Sequence, residues 1–363
     1  MLISRRLALR PRAIIILLLF TPLCYFLLYH LKPAIQHHAV QRHDADHFPI
    51  PVKSPDGPSI NLVVATTAKD DMSWTKNLRI PHLQVIRYVS DSQSAKYHPS
   101  KPKGREALMY LTYIHDFYDT LPDISIFIHA EENPWHMDGA LLESMTFALS
   151  HLDFSQVIES RYFNLRVNWK HGCPAQINTS MTTEIDEKKQ EQHLMAEAFR
   201  AIFGADVQVP EILAGACCSQ FAVSRDAIRQ RAKYEYKHYM DWLIETSWSD
   251  YISGRVFEHL WPYIFLNRPI ECPIEWKSLC SMYGVCFGGQ NQLQKYQQVW
   301  DARRAVDGNV TFWKDVWRPK DTEALRHRSE KYTEWLHERL AAALTSGKAA
   351  ENRGHVLGDL YTP

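Results

Sequence analysis

The sequence predicts an α/β fold, with a mixed and mostly parallel sheet flanked by helices, behind an N-terminal transmembrane helix. The first observation is a predominantly apolar stretch at residues 13–31, close to the roughly 20 residues that a helix needs to cross a bilayer. The second is a regular alternation of strand-like and helix-like segments that begins at Ile60. The third is a composition of 45% hydrophobic and 12% aromatic residues, which is typical of a chain with a large core.

The residues around the apolar stretch orient it in the membrane. Arg5, Arg6, Arg10 and Arg12 precede it, whereas only Lys32 follows directly. The positive-inside rule therefore predicts a single-pass type II protein whose main part lies in the lumen of the Golgi or the ER. A cleaved signal peptide is the alternative, but no small-x-small cleavage site follows the stretch.

The same patterns divide the chain into six predicted segments. Residues 1–12 form a cytosolic tail, residues 13–31 the signal-anchor and residues 32–58 a stem rich in proline and histidine. Residues 59–290 form the α/β domain, residues 291–345 a helical extension and residues 346–363 a flexible tail.

Charge and cysteine content narrow the classes of function. The 41 basic and 41 acidic residues balance, which leaves no overall field to attract nucleic acid. Six cysteines follow the apolar stretch, and an even number in an oxidising lumen predicts up to three disulfides with unassigned pairing. These are Cys173, Cys217, Cys218, Cys272, Cys280 and Cys286. Their spacing fits no zinc finger, and the best candidate for a stapled segment is ECPIEWKSLCSMYGVC.

Two sequons lie on the predicted lumenal side. Asn178 is followed by Thr-Ser and Asn309 by Val-Thr. Both predict glycosylation if the type II topology holds.

Strands and helices alternate along the predicted domain. The runs INLVVATTA, LQVIRYVSD and ISIFIHAEE are strand-like, and GREALMYLTYIHDFYDTLPD between the last two has helical spacing. Strand, strand, helix, strand predicts parallel strands. Further elements are a helix over residues 138–152, a strand near RYFNLRVNW, and a strand that leads into one long helix with Ser224 as its N-cap.

Acidic residues follow three of the strand-like runs. Asp70 and Asp71 follow the first, Asp91 the second, and Glu131 with Glu132 the third. Open α/β sheets bind ligands at the carboxyl ends of their strands. Carboxylates there can hold Mn²⁺ or Mg²⁺, and such a cation can neutralise a diphosphate. The alternative is that these acids are ordinary turn residues.

Positive charge is predicted near the same edge, in KPKGREA. Gly104 opens the predicted helix, so free backbone N–H groups, Lys103 and Arg105 can face a phosphate. Lys101 adds further charge. The alternative is a plain helix start in which Arg105 and Glu106 form surface pairs.

The loop FIHAEENPWHMDG, residues 127–139, crowds acids and histidines together. HAE matches half of the nucleobase deaminase signature, but the P-C-x-x-C half is absent. The zincin spacing H-E-x-x-H is absent too. His129 and His136 remain candidate metal ligands beside Glu131 and Glu132, with structural histidines as the alternative.

A glutamate on the aromatic-rich segment SGRVFEHLWPYIF is the best candidate for a general base. Burial can raise the pKa of such a residue, here Glu258. The alternative is a core acid paired to Arg255 or Arg268. Two carboxylates drawn from Glu131, Glu132 and Glu258 also leave glycoside hydrolysis open.

Six ordered motifs together resemble a known family. They are VVATTAKDDMSW, GREALMYLTYIHDFYDTLPD, FIHAEENPWHMD, FNLRVNWKHGCP, CCSQFAVSRDAI and SGRVFEHLWPYIF. Over about residues 60–267 the chain resembles a fungal family catalogued only as a domain of unknown function. That family is similar in turn to GT-A glycosyltransferases, which implies a GT-A-like, Rossmann-like fold. The chain departs from the family at Pro102, where an asparagine is usual.

The second resemblance implies transfer of a sugar from a nucleotide-sugar donor to a glycan, glycoprotein or small natural product. It places Asp91 near the nucleotide and Glu131 with Glu132 where those enzymes carry D-x-D, although A-E-E departs from that motif. Glu258 falls on the acceptor side. A non-catalytic lumenal protein that binds a carbohydrate or a partner is the alternative, and a carbohydrate hydrolase is the third.

Roles follow for the candidate residues on this hypothesis. Glu258, Asp241 and Glu132 are the catalytic candidates. The donor-binding candidates are Asp71, Asp91, Lys103 and Arg105, and the metal ligands are Glu131, Glu132, His129 and His136.

Overall fold

The structure is a computed structural model that describes residues 44–183, 185–349, 353 and 360–361. The predicted cytosolic tail, the predicted anchor and the stem up to residue 43 lie outside the described residues. Within them, no helix is both long enough and apolar enough to cross a membrane. The chain divides into two compact units, one of residues 1–44 and 298–337 and the other of residues 45–297 and 338–363.

The described part of the first unit is mostly helical and is tied together by a buried ion pair. Arg303 Nη1 lies 2.7 Å from Asp44 Oδ2, and His337 Nε2 lies 3.2 Å from Asp44 Oδ1. Asp44 and Arg303 are both largely shielded from solvent. Removal of one partner would leave the other charge buried and uncompensated.

Strands occur only in the second unit among the described residues. They are β1 (Ile60–Thr66), β2 (Leu83–Val89), β3 (Ile124–His129), β4 (Tyr162–Asn164), β5 (Ile177–Asn178), β6 (Ile212–Gly215), β7 (Phe221–Ser224) and β8 (Ile270–Glu271). One sheet has the order β2-β1-β3-β7-β4 and a smaller one the order β5-β6-β8.

The predicted parallel strands are confirmed. β1 pairs in parallel with both β2 and β3, so the carboxyl ends of all three meet at one edge. β7 runs antiparallel to β3 and to β4, which makes the sheet mixed. Every residue of β1 is buried, as expected for a central strand that is covered on both faces.

Eleven helices are described beside several short 3₁₀ turns. They are α1 (Glu106–Phe117), α2 (Met145–His151), α3 (Phe154–Ser160), α4 (Met195–Phe203), α5 (Arg225–Arg229), α6 (Lys233–Glu245), α7 (Asp250–Leu266), α8 (Glu275–Tyr283), α9 (Gln290–Asn309), α10 (Phe312–Trp317) and α11 (Pro319–Lys348).

Aromatic side chains join the sheet to its helices. Tyr110 on α1 lies 4.9 Å from Phe127 on β3, measured between ring centroids. Phe221 on β7 lies 5.2 Å from Trp261 on α7. These rings are almost completely buried. Aromatic pairs of this kind stabilise the core beyond the contribution of their buried surface area. They also hold α1 and α7 at fixed positions over the sheet.

Two predicted helices are shorter than expected. The helix predicted over residues 138–152 begins only at Met145, because Leu142 and Glu143 adopt positive φ of 60° and 50°. Ser144 then caps α2 by accepting a hydrogen bond of 3.2 Å from Phe147 N. The single long helix after Ser224 is two helices, α5 and α6, and Glu235 Oε2 accepts a hydrogen bond from Ala232 N where the second begins.

The six cysteines form three disulfides, as the sequence predicts. The pairs are Cys173–Cys272, Cys217–Cys218 and Cys280–Cys286. The first joins segments that are 99 residues apart. The second joins neighbours in the chain, immediately before β7.

Candidate active site

A cavity of about 290 Å³, with several charged side chains in its wall, lies at the carboxyl ends of the parallel strands. Thr66 and His129 end β1 and β3 at its wall, and Arg105 with Glu106 reach it from the start of α1. Lys103, Asp70 and Asp250 line it as well. This is the edge where open α/β sheets bind ligands.

Close packing between two backbone segments positions the GREA turn, which is residues 104–107. Gly104 has a φ of +66°, and a Cβ there would lie 2.7 Å from Leu243 Cδ2. Gly254 on α7 packs against the turn, since a Cβ at Gly254 would lie 3.1 Å from the Gly104 carbonyl oxygen. Arg105 follows with a φ of 53°, and its guanidinium lies 4.8 Å from the centroid of the Tyr251 ring.

Glu106 and His129 face each other inside the cavity, with His129 Nε2 3.9 Å from Glu106 Oε2. Burial raises the pKa of Glu106, and Ser219 opposes that shift by hydrogen bonding to the carboxylate. Burial lowers the pKa of His129 to about 4, although the negative charge of Glu258 partly opposes this. Both shifts favour the neutral form of the side chain.

The loop after β3 sends its charged side chains in different directions. The His129 and His136 rings meet edge to face at 5.3 Å. Glu132 Oε1 accepts a hydrogen bond of 2.7 Å from Thr146 Oγ1, whereas Glu131 is exposed to solvent. Trp74 Nε1 donates to the Ala130 carbonyl and holds the loop against the sheet.

Glu258 on α7 does not line the cavity, but it lies close enough to His129 for its charge to act on that ring. Glu258 Oε1 accepts a hydrogen bond of 2.7 Å from the backbone amide of Cys218. In the described part of the chain Arg255 forms its ion pair with Glu191 and Arg268 with Glu271, while the charge of Glu258 still acts on Arg255 at longer range.

The comparisons with known proteins identify a family without an assigned activity. A family model described as "Protein of unknown function (DUF3431)" matches residues 62–281. The chain belongs to this family. No curated protein matches the chain, and no solved structure does.

The DUF3431 segment includes the whole cavity and Glu258. The predicted membership in a domain of unknown function is therefore confirmed. The described elements of the segment also confirm the coarser prediction of a mixed α/β sheet flanked by helices.

Two of the donor-binding candidates line the cavity. These are Lys103, whose Nζ donates to the Trp248 carbonyl and lies 3.9 Å from Asp250 Oδ1, and Arg105. Asp91 Oδ1 accepts a hydrogen bond of 2.7 Å from Ala68 N and thereby shapes the loop after β1. Asp71 accepts from Ser73 N at 2.8 Å, and hydrogen bonds from Ser73 lower its pKa.

Three further candidates lie outside the cavity wall. Asp241 on α6 binds Lys237 Nζ at 2.5 Å. Asn178 Oδ1 accepts from Ser180 N at 2.9 Å, and Asn309 Nδ2 donates to the Ala305 carbonyl at the end of α9. Asn309 is exposed, and glycosylation at either asparagine stays a prediction.

The predicted ligands do not form a ready-made Mn²⁺ or Mg²⁺ site. In the described part of the chain, one group of three His, Cys, Asp or Glu residues has ligand atoms within 4.8 Å of one another, namely Cys217, Cys218 and Glu258. His129 faces Glu106 and Glu132 is bound to Thr146. Hard cations require several oxygen ligands around one point, and these side chains do not supply them.

Sequence reasoning missed four polar residues in this part of the fold, of which Glu106 lines the cavity. The sequence offers Glu106 only the alternative of a surface pair. Asp138 is buried and accepts from Val167 N at 2.8 Å, and burial raises its pKa to about 6. Arg166 and Gln220 are also buried. Gln220 and Arg166 are polar residues within apolar stretches, and that pattern could have marked them as buried polar residues. The pattern does not show toward which part of the fold their side chains point.

Proposed function

We propose that this DUF3431 protein is a glycosyltransferase-like enzyme that uses a nucleotide-sugar donor. One observation supports the proposal above the others: a cavity at the carboxyl ends of β1 and β3 is flanked by two cations, Lys103 and Arg105. Its volume of about 290 Å³ is near the lower end of the range for small-molecule sites. The β2-β1-β3 parallel set beside antiparallel β7 is compatible with a GT-A-like fold, an analogy of fold alone.

The donor diphosphate would lie at the mouth of the cavity. Arg105 can bind two phosphate oxygens through its planar guanidinium, and Lys103 adds a point charge. These groups would stabilise the negative charge that develops as the bond between the sugar and the diphosphate breaks. The α1 N-terminus contributes less, because the Glu106 carboxylate accepts a hydrogen bond from its own backbone amide.

Glu258 is the proposed general base. It would take the proton of the acceptor hydroxyl while the acceptor oxygen bonds to the sugar carbon that the diphosphate leaves. The hydrogen bond from Cys218 N fixes one carboxylate oxygen and leaves the second oxygen for the acceptor. The predicted lumenal location, Golgi or ER, belongs to the same proposal.

Thermal-shift titration of the full-length chain in mild detergent tests donor binding. UDP, GDP and their sugars are added with and without Mn²⁺, and we expect stabilisation by one nucleotide class. Arg105→Ala should weaken binding by about 10- to 100-fold, the usual loss for a charged hydrogen bond. Lys101→Ala is the matched control, because Lys101 is exposed and does not line the cavity.

Turnover separates the proposal from its alternatives. Release of nucleoside diphosphate in the presence of glycan acceptors would support transfer, and Glu258→Gln should abolish it. Nucleotide binding without turnover would favour the non-catalytic binding protein. Cleavage of glycosides without any nucleotide would instead establish a hydrolase, and no response to any nucleotide would refute the proposal.

A further inference from the structure

Three side chains beside the cavity form a compact set of potential metal ligands. The sulfur atoms of Cys217 and Cys218 and a carboxylate oxygen of Glu258 all lie within 4.8 Å of one another. The two sulfurs are joined in a disulfide, and bonded sulfurs cannot act as thiolate ligands. The set therefore becomes available only after the disulfide is reduced.

The ligand types select a particular class of metal. Two thiolates and one carboxylate suit Zn²⁺ or Cd²⁺, whereas Mg²⁺ and Ca²⁺ prefer oxygen ligands alone. Thiolates at about 2.3 Å from tetrahedral zinc are roughly 3.8 Å apart, a separation that side-chain rotation permits once the sulfur–sulfur bond is broken. Glu258 has a second oxygen, so it can bind a metal without losing its hydrogen bond from Cys218 N.

The buried imidazole of His136 lies near Glu258 and Arg166, and the Gln220 side chain hydrogen-bonds to it. His136 is only 7% exposed. An imidazole nitrogen is a good fourth ligand for zinc.

Arg166 places a positive charge beside this group of ligands. It is 7% exposed, and its Nη1 lies 3.0 Å from Cys217 Sγ. A guanidinium in that position favours a thiolate over a thiol. Two thiolates, one carboxylate, one divalent cation and one guanidinium have no net charge, so the loaded site can remain buried without an uncompensated ion.

We propose that reduction of the Cys217–Cys218 disulfide creates a binding site for a thiophilic divalent cation, with Cys217, Cys218 and Glu258 as ligands and a fourth position open on the side of His136. The reductant is an external dithiol, which supplies two electrons and two protons and is itself oxidised to a disulfide. Cys217 and Cys218 become two thiols. Binding of the cation then releases both protons. Because Glu258 becomes a ligand, the metal would also remove the general base of the proposed function, and this consequence alone depends on that function.

Cadmium titration of the full-length chain tests the site. The protein in mild detergent is reduced with dithiothreitol, desalted under argon and titrated with Cd²⁺. We expect one Cd²⁺ per chain with a charge-transfer absorption of two thiolates, and none in the oxidised protein. Glu258→Gln should weaken binding by at least about 10-fold, since even the loss of an outer-shell partner has that effect.

Thiol mapping identifies the cysteines involved without relying on a variant. The reduced protein is alkylated with iodoacetamide with and without Cd²⁺, and the labelled cysteines are located by mass spectrometry. We expect Cd²⁺ to protect Cys217 and Cys218. Binding should disappear in the variant with Cys217→Ser and Cys218→Ser and persist in the control with Cys280→Ser and Cys286→Ser.

Several results would overturn the proposal. It would be overturned by protection that maps to other cysteines, by the absence of a two-thiolate spectrum, or by equal binding by the oxidised protein. If the Cys217→Ser, Cys218→Ser variant does not fold, the wild-type mapping decides. These readouts do not require turnover, so a negative result leaves the proposed transferase activity untouched.

Discussion

His129 Nε2 lies 3.9 Å from Glu106 Oε2 at the carboxyl end of β3, and burial shifts the two pKa values in opposite directions. The pKa of Glu106 is raised and that of His129 is lowered to about 4. At neutral pH the imidazole is therefore uncharged. The centre of this DUF3431 site holds an acid and a base that ionise less readily than they do in water.

The first prediction concerns acid stability. Burial lowers the pKa values of His129 and His136 from 6.5 to about 4, so the unfolded chain binds these protons more tightly. Stability is then present above pH 6.5 and is lost as the pH falls toward 4. Each histidine contributes at most on the order of 3 kcal/mol at 1.36 kcal/mol per pH unit.

Chemical denaturation between pH 4 and pH 7 measures how steeply the free energy of unfolding depends on pH. His136→Gln should make this dependence less steep, whereas His327→Gln, at an exposed position, should not. Equal slopes in the wild type and His136→Gln would contradict the prediction.

The second prediction concerns Glu106→Gln. Because burial raises the pKa of Glu106, the native state holds this proton more tightly than the unfolded chain does. The ionised carboxylate therefore reduces stability as the pH rises above its ordinary value of 4.5. At pH 7 we expect Glu106→Gln to be as stable as the wild type or more stable, with the two converging in acid. A variant that is clearly less stable at pH 7 would argue against this.

The third prediction separates two substitutions of Glu258. Glutamine keeps an acceptor for Cys218 N, so Glu258→Gln should unfold at nearly the wild-type temperature. Alanine removes the acceptor of a partly buried N–H and should cost about 1–3 kcal/mol. Both variants should lose nucleotide-dependent transfer. Similar melting temperatures for the two variants would show that the Cys218 hydrogen bond contributes little.

The fourth prediction compares a buried ion pair with an exposed one. Glu191 is completely buried and binds Arg255 at 2.9 Å and His259 at 2.8 Å, while its pKa lies near 2. Glu191→Leu should cost about 3–5 kcal/mol, because it leaves Arg255 uncompensated.

Asp241→Asn is the matched control for Glu191→Leu. It removes the Lys237 pair and should cost less than about 1 kcal/mol. Denaturant unfolding measures both changes. Since Asp241 does not line the cavity, Asp241→Asn should keep the nucleotide response. Loss of that response would restore Asp241 as a catalytic candidate.

The fifth prediction concerns the contact between α7 and the GREA turn. Alanine in place of a helical glycine normally adds up to about 1 kcal/mol of stability. At Gly254 the new Cβ would lie 3.1 Å from the Gly104 oxygen and 3.3 Å from Arg105 Cβ, so the turn must shift. We expect Gly254→Ala to weaken nucleotide binding with little gain in stability.

Gly308→Ala serves as the control for the α7 contact, because nothing lies within 4 Å of a Cβ at that position. It should leave nucleotide binding unchanged. Thermal shift with and without nucleotide reports both effects, and equal nucleotide responses in the two variants would contradict the proposed contact.

Local sequence pattern predicted the elements that depend on neighbouring residues. β1, β2, α1 and β3 lie where apolar spacing placed them, and Ser224 caps α5 as expected. The failures have local causes as well. Positive φ at Leu142 and Glu143 interrupts the helix expected over residues 138–152, and neither residue is a type that signals such a conformation.

By itself, the sequence determined the mixed α/β class, membership of the DUF3431 family and an upper limit of three disulfides after the apolar stretch, because periodicity, motif order and cysteine count are properties of the chain. Only the tertiary structure decided that Glu106 faces His129 and that Glu258 accepts a hydrogen bond from Cys218 N. It also separated Asp241 from the cavity and paired Cys217 with its neighbour. These relationships join residues from different elements, and burial and electrostatic environment arise only where those elements pack together.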